Sequence, residues 1–122
     1  MITQTVQNKI VPDSTFRWIM PVGTAIQNIK SSYLGDLDIY RDYTHLNDYA
    51  RLVAGYVWFC RLEGIPTETF KLNYIPDALT KTYTQSGDIQ LNESMMQVLE
   101  ESVRNACATP FQVTQSQYTE AP

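Results

Sequence analysis

From Asn47 to Gly64 the chain writes an amphipathic helix that cannot be stable by itself. Tyr49, Leu52, Val53, Tyr56, Val57 and Cys60 fall at i, i+3, i+4, i+7, i+8 and i+11, one face of an α-helix. Asn47 is a good N-cap, Gly64 suits the residue just past the end, and Pro66 forbids continuation. Trp58 and Phe59 widen the apolar arc, so cover on more than one side is expected. Both rings, with Tyr49 and Tyr56, therefore read as core. A second helix is expected from about Asn92 to Ala108. Asn92 caps it, Met95, Leu99, Val103 and Ala106 form its inner stripe, and Pro110 follows its end.

What else could cover these helices is sparse. Ile2, Val6 and Ile10 suggest the last turns of a helix, broken by Pro12-Asp13-Ser14. Phe16–Met20 is rich in aromatic and β-branched residues and stops at Pro21, which predicts a buried strand with Trp18 in the core. Thr24 is placed to cap a short helix through Ile29, and residues 31–43 read as loop with a turn at Gly35-Asp36. Phe70, Leu72, Tyr74 and Ile75 form a short strand or pack a loop, Pro76-Asp77 turns, and Tyr83 to Asp88 is polar. Residues 111–122 are a Gln/Thr-rich tail, expected to drape on the surface or fray. One strand makes no sheet, and this one looks apolar on both sides, as in a parallel sheet covered on both faces. The expectation is an α/β class: residues 1–122 as a single partial domain, helix-rich with one clear strand, the C-terminal part of something larger.

Composition excludes several roles. Nine Lys and Arg against thirteen Asp and Glu give a net charge of −4, and no two basic residues are adjacent. No nucleic acid and no anionic membrane surface are expected as partners. No apolar run approaches the roughly 18–20 residues of a membrane span. Residues 1–20 lack a basic start followed by an apolar stretch, so no signal peptide is expected; the compartment stays open, secretion included if an upstream part exists. Cys60 and Cys107 both fall on helical apolar faces and read as buried free thiols.

The chemistry concentrates in Asp42-Tyr43-Thr44-His45, which holds the single histidine of the chain. A carboxylate three residues before a histidine can hold one ring nitrogen and leave the other free to take a proton from a nucleophile. By spacing alone His45 also reads as a loop histidine bonded locally, and Asp42 as a solvated carboxylate paired with Arg41 or Arg51. Thr24, Gln27 and Asn28 follow the end of the expected strand, the edge where open α/β sheets bind ligands, so they are candidate substrate-binding residues; capping and turn bonding are the alternative. Ser31 and Ser32 lie nearest to His45 among the serines but on no strand-to-helix elbow. A metal site of His45, Asp42, Asp36 and Asp38 would be a poor transition-metal set, so neither metal nor cofactor is expected.

Three blocks in order carry a resemblance: Met20-Pro21-Val22-Gly23-Thr24-Ala25-Ile26-Gln27-Asn28, then Arg41-Asp42-Tyr43-Thr44-His45-Leu46, then the ending Ala106 to Tyr118 around Pro110-Phe111 and Val113-Thr114. The chain resembles the C-terminal part of an SGNH/GDSL-type hydrolase, more narrowly a bacterial branch of that superfamily known as a domain of unknown function. The likeness implies the C-terminal portion of a three-layer α/β/α, flavodoxin-like sandwich. It implies serine esterase or deacetylase chemistry on an ester or an acetylated carbohydrate, with His45 as general base and Asp42 as its orienting carboxylate. The serine nucleophile and the oxyanion glycine and asparagine of that superfamily have no match here. Gly35-Asp36-Leu37 has leucine where the serine would stand. The expectation is an Asp-His half-site that is inactive in this chain alone, with self-association or a missing N-terminal half as partner. The alternative is a non-catalytic interaction or carbohydrate-binding domain derived from the same scaffold.

Overall fold

The computed structural model describes residues 2–69, 81–84 and 87–122. Four helices and a two-stranded ribbon make up its regular structure. Helix α1 (Ile2–Thr5) runs on as a π-helical turn, Val6–Ile10. Helices α2 (Val22–Lys30) and α3 (Asp48–Glu63) follow, then a 3₁₀ turn at Thr67–Thr69. Strands β1 (Lys81–Thr84) and β2 (Gly87–Gln90) pair antiparallel, Thr82 opposite Ile89, and α4 (Glu93–Ala108) completes the set. The protein is thus helix-rich, compatible with a small α/β or mostly-α domain.

The core lies where α2, α3 and α4 meet. Ala25 and Ile29 from α2 pack with Tyr49, Val53, Val57 and Cys60 from α3 and with the inner face of α4. Both long helices start as their sequences require. Asn47 Oδ1 accepts from Ala50 N at 3.0 Å, and Asn92 Oδ1 accepts from Met95 N at 2.9 Å. Gly64 ends α3 in the left-handed region at φ 63°, its N–H bonded to Cys60 O. The fully buried Tyr49 donates its phenol to Met95 O at 2.8 Å, so its hydroxyl is satisfied inside the core. Cys60 and Cys107 are buried and free, and burial pushes the Cys60 thiol up to about 12 and raises Cys107 as well. Neither is a ready nucleophile.

Three expectations need correction. Phe16–Met20 forms no strand; residues 16–21 adopt neither helix, turn nor ladder, and Trp18 is exposed instead of buried. A strand is stable only when a neighbouring backbone takes its bonds, and none among the described residues does so; the Arg61 side chain alone reaches it, donating from Nε to Ile19 O at 3.1 Å. Trp58 and Phe59 are exposed as well. Among the described residues the core packs against the side of α3 that carries Tyr49, Val53, Val57 and Cys60, and Trp58 and Phe59 lie outside it, each about half exposed. Thr24 is not the cap of α2: Pro21 holds that position, and the Thr24 hydroxyl donates to Pro110 O at 2.6 Å. The readings made for residues 70–80 lie outside the described residues.

The tail does not fray. Ser116 is buried and donates its hydroxyl to Glu101 Oε2, while Gln117 N donates to Glu101 Oε1 at 3.0 Å. Thr114 N donates to Asn28 Oδ1 at 2.8 Å, and Ser116 N to Ser31 Oγ at 2.9 Å. These bonds fasten residues 114–117 across α2 and α4.

Asn47 ties the loop before α3 to that helix. Besides capping, its Nδ2 donates to Asp38 O at 2.7 Å from a fully buried position. Asn47→Ala is expected to destabilise the fold by about 2 kcal/mol. Urea unfolding measures this, and an unchanged midpoint would mean that the cap and the loop anchor are dispensable.

Candidate active site

Residues 39–47 form a small closed loop. Buried Ile39 anchors one end, Asn47 N donates to Ile39 O at 2.8 Å, and Arg41 N donates to His45 O at 3.0 Å beneath a Tyr40–Leu46 bridge. Asp42 organises the loop tip: its Oδ1 accepts from Thr44 N at 2.8 Å and from His45 N at 2.7 Å. This is the turn an aspartate makes by bonding to the backbone just beyond itself. The same carboxylate meets the His45 ring, with Nδ1 at 3.0 Å from Oδ1 and 2.8 Å from Oδ2. Three residues of spacing therefore do two jobs, shaping the turn and bringing carboxylate and imidazole into contact.

A carboxylate at Nδ1 favours the tautomer with the proton on Nδ1, which leaves the Nε2 lone pair outward. Among the described residues no group is hydrogen-bonded to Nε2. The Thr44 hydroxyl lies 3.2 Å from Nδ1 and 3.3 Å from Asp42 Oδ1, a third member of the cluster whose only signal in the sequence is its place between the other two. Arg41 adds little, its Nε being 4.0 Å from Asp42 Oδ2.

The bonds from the Thr44 and His45 backbones, followed by the His45 ring, hold the Asp42 carboxyl well below the usual carboxylate range. A depressed folded value means that Asp42 supports the loop above the unfolded value of about 3.9, and that this support is lost as pH falls through the folded value. Carbon-detected NMR titration of the side-chain carboxyls is expected to find Asp42 still ionised well below the roughly 3.9 of an unperturbed aspartate. Titration at that unperturbed value would mean that the turn is open in solution.

The pair is solvent-facing. The His45 side chain is 63% exposed and that of Asp42 45%. A hydrolase relay works with its carboxylate buried and water excluded, so this chain has the dyad without its walls. Among the described residues no hydroxyl or thiol is hydrogen-bonded to His45 Nε2 as a nucleophile would be. Ser31 and Ser32 turn their hydroxyls onto Asn28 O and Ile29 O of their own helix end, at 2.7 and 2.6 Å. Among the described residues no three His, Cys, Asp or Glu side chains gather as metal ligands, so Asp36 and Asp38 do not join the dyad. No helix among the described residues is long and apolar enough to cross a membrane.

The other candidates part company. Thr24 and Gln27 line an open groove of about 380 Å³ beside Met20, Pro21, Phe111 and α1. Asp42 and His45 do not line it, and no described contact brings the groove to the dyad. Asn28 is buried, its Nδ2 donating to Ser102 O at 3.2 Å while its Oδ1 takes Thr114 N. It is a structural clasp and is not available to a substrate.

No curated protein and no solved structure matches the chain. The family described as "Domain of unknown function (DUF4886)" does: its profile matches residues 2–90, a span that holds the Asp42–His45 loop and most of the chain, and the protein belongs to that family.

Proposed function

We propose that this chain is the C-terminal segment of an SGNH-type serine esterase or deacetylase and supplies the Asp-x-x-His half of its catalytic triad. The observation that carries the reading is the 2.8 Å approach of Asp42 Oδ2 to His45 Nδ1 on a loop closed at both ends, with Nε2 left outward. His45 is the general base that takes the serine proton and later returns it to the leaving alcohol. Asp42 holds the ring and stabilises the imidazolium. The exposure of the pair fits a site whose nucleophile, oxyanion donors and walls come from another stretch of polypeptide. On this reading the chain is part of a three-layer α/β/α sandwich that the other stretch completes. The substrate is an ester or an acetylated carbohydrate.

The test is the coding sequence immediately upstream of Met1, together with p-nitrophenyl acetate hydrolysis by the polypeptide that includes it. An in-frame Gly-Asp-Ser and esterase activity are expected there, while the 122-residue chain by itself should match its own His45→Ala variant. Activity of the short chain that His45→Ala abolishes would place a nucleophile within it and sink the half-site reading. An upstream sequence with no serine nucleophile and no activity would sink the enzyme reading. A non-catalytic interaction domain would then be favoured by the exposed aromatic side chains of α3 and of residues 16–18.

A further inference from the structure

Tyr49 lies in the first turn of α3 and Met95 in the first turn of α4, and the Tyr49 phenol donates to Met95 O at 2.8 Å. That bond sets the two helices side by side at their N-terminal ends. Cys60 follows Tyr49 by eleven residues, about three turns further on and within about 20° of the same line along α3. Cys107 follows Met96 by the same interval on α4. Equal rise carries both cysteines to one level, in the last turn of each helix. Both belong to the one core cluster, Cys60 3% and Cys107 7% exposed. Glu101, which holds the tail, is about 120° round α4 from Cys107, so the cysteine occupies a different face of that helix. Cα atoms lie about 2.3 Å from a helix axis and packed helices about 8–10 Å apart, so facing Cα atoms come within about 6 Å. A disulfide spans roughly 4.4–6.8 Å between Cα atoms. The thiols also meet: a side-chain hydrogen bond joins them, with Cys60 the donor.

We propose that Cys60 and Cys107 form an intramolecular disulfide, a redox-controlled clasp between the C-terminal ends of α3 and α4. The oxidant is a low-molecular-weight disulfide of the glutathione class. Burial raises both thiols above their ordinary range, but Arg61 and the bond from Cys60 favour the thiolate on Cys107, which makes Cys107 the attacking sulfur. Its thiolate attacks one sulfur of the oxidant, forms a mixed disulfide and releases one small thiolate. Cys60 then gives up its proton, attacks Cys107 Sγ and releases the second small thiolate, which takes up a proton. Two protein thiols are oxidised and one small disulfide is reduced to two thiols. Because the cysteines are shielded in the closed fold, the exchange runs while the chain folds or opens locally. The bond closes the loop from 60 to 107, so its stabilisation comes mainly from restricting the unfolded chain. The proposal stands independently of the esterase reading.

Refolding the 122-residue chain in buffers of graded reduced-to-oxidised glutathione tests it, with acid quench, maleimide labelling and intact mass as the readout. The chain has two cysteines, so an internal bond has one assignment. A monomer lighter by two hydrogens, with no thiol open to maleimide, is expected. The folded chain should reach half-oxidation in a buffer about 100-fold more reducing than the same chain needs in urea, because the fold holds the two sulfurs together. By linkage, the oxidised chain should melt about 10 °C above the reduced one, and dithiothreitol should reverse the gain. The wild type carries the test in both redox states, so no variant has to fold. Two free thiols across the whole range overturn the proposal. So does a glutathione adduct or a disulfide-linked dimer in place of the internal bond, and so does an internal bond that leaves the melting temperature unchanged or lowers it.

Discussion

On the proposed esterase reading, His45→Ala in a polypeptide that joins this chain to a nucleophile half is expected to lower kcat by about 10³–10⁴-fold, with KM nearly unchanged. The imidazole moves the proton in the transition state and contributes little to holding an ester. Asp42→Asn is the more discriminating substitution. An asparagine Oδ1 can still accept from Thr44 N and His45 N, which lie at 2.8 and 2.7 Å, so the turn survives. What changes is the contact with Nδ1, where an amide N–H₂ replaces an oxygen. The ring then favours the tautomer with its proton on Nε2, the nitrogen that should be accepting. A fall of about 10³-fold or more with an intact fold is expected from that loss of orientation. A drop of less than about ten-fold for Asp42→Asn would mean that the carboxylate serves the turn alone, and the triad reading of Asp42 would fail.

Asn28→Ala is expected to cost about 3 kcal/mol of stability, the largest single loss predicted here away from the apolar core. Its amide is almost wholly buried and joins three parts of the chain: α2, α4 through Ser102 O, and the tail through Thr114 N. Truncation removes both bonds and leaves a hole that the rigid helix pair cannot close. Asn28→Asp separates the two roles. It keeps the acceptor for Thr114 N but loses the donor to Ser102 O and places a carboxylate in a buried position, so it too is expected to destabilise. Urea unfolding gives the size of the effect, and hydrogen exchange at Thr114 and Ser116 shows whether the tail is released first. A loss under about 1 kcal/mol with the tail still protected would mean that Glu101 and Ser31 hold the tail without Asn28.

Where the sequence was informative, the physics was local. Asn47 and Asn92 cap, Gly64 turns left-handed and Pro66 blocks, and each acts through bonds or steric limits within a few residues. The stripes of α3 and α4 were legible for a related reason: a repeat of about 3.6 residues states which face is apolar, whatever covers it. The Asp42–His45 contact belongs to the same class, since an aspartate that shapes a turn over Thr44 and His45 carries its carboxylate to the ring three residues on.

What the sequence could not state was which apolar surface would find a partner. Trp18, Trp58 and Phe59 have the composition of core residues and are exposed, because burial depends on neighbours remote in the chain or outside it. Phe16–Met20 has strand composition and forms no strand, because a ladder needs a second backbone. Asn28 resembled a pocket residue and is a clasp, because Thr114 N lies 86 positions away in sequence and is brought to it only by folding. Sequence by itself determined the two long helices, their ends and the Asp42–His45 pair, all products of short-range bonding. The tertiary structure alone decided which apolar faces are covered, how the tail is fastened and that the dyad faces solvent, since each depends on packing between distant segments.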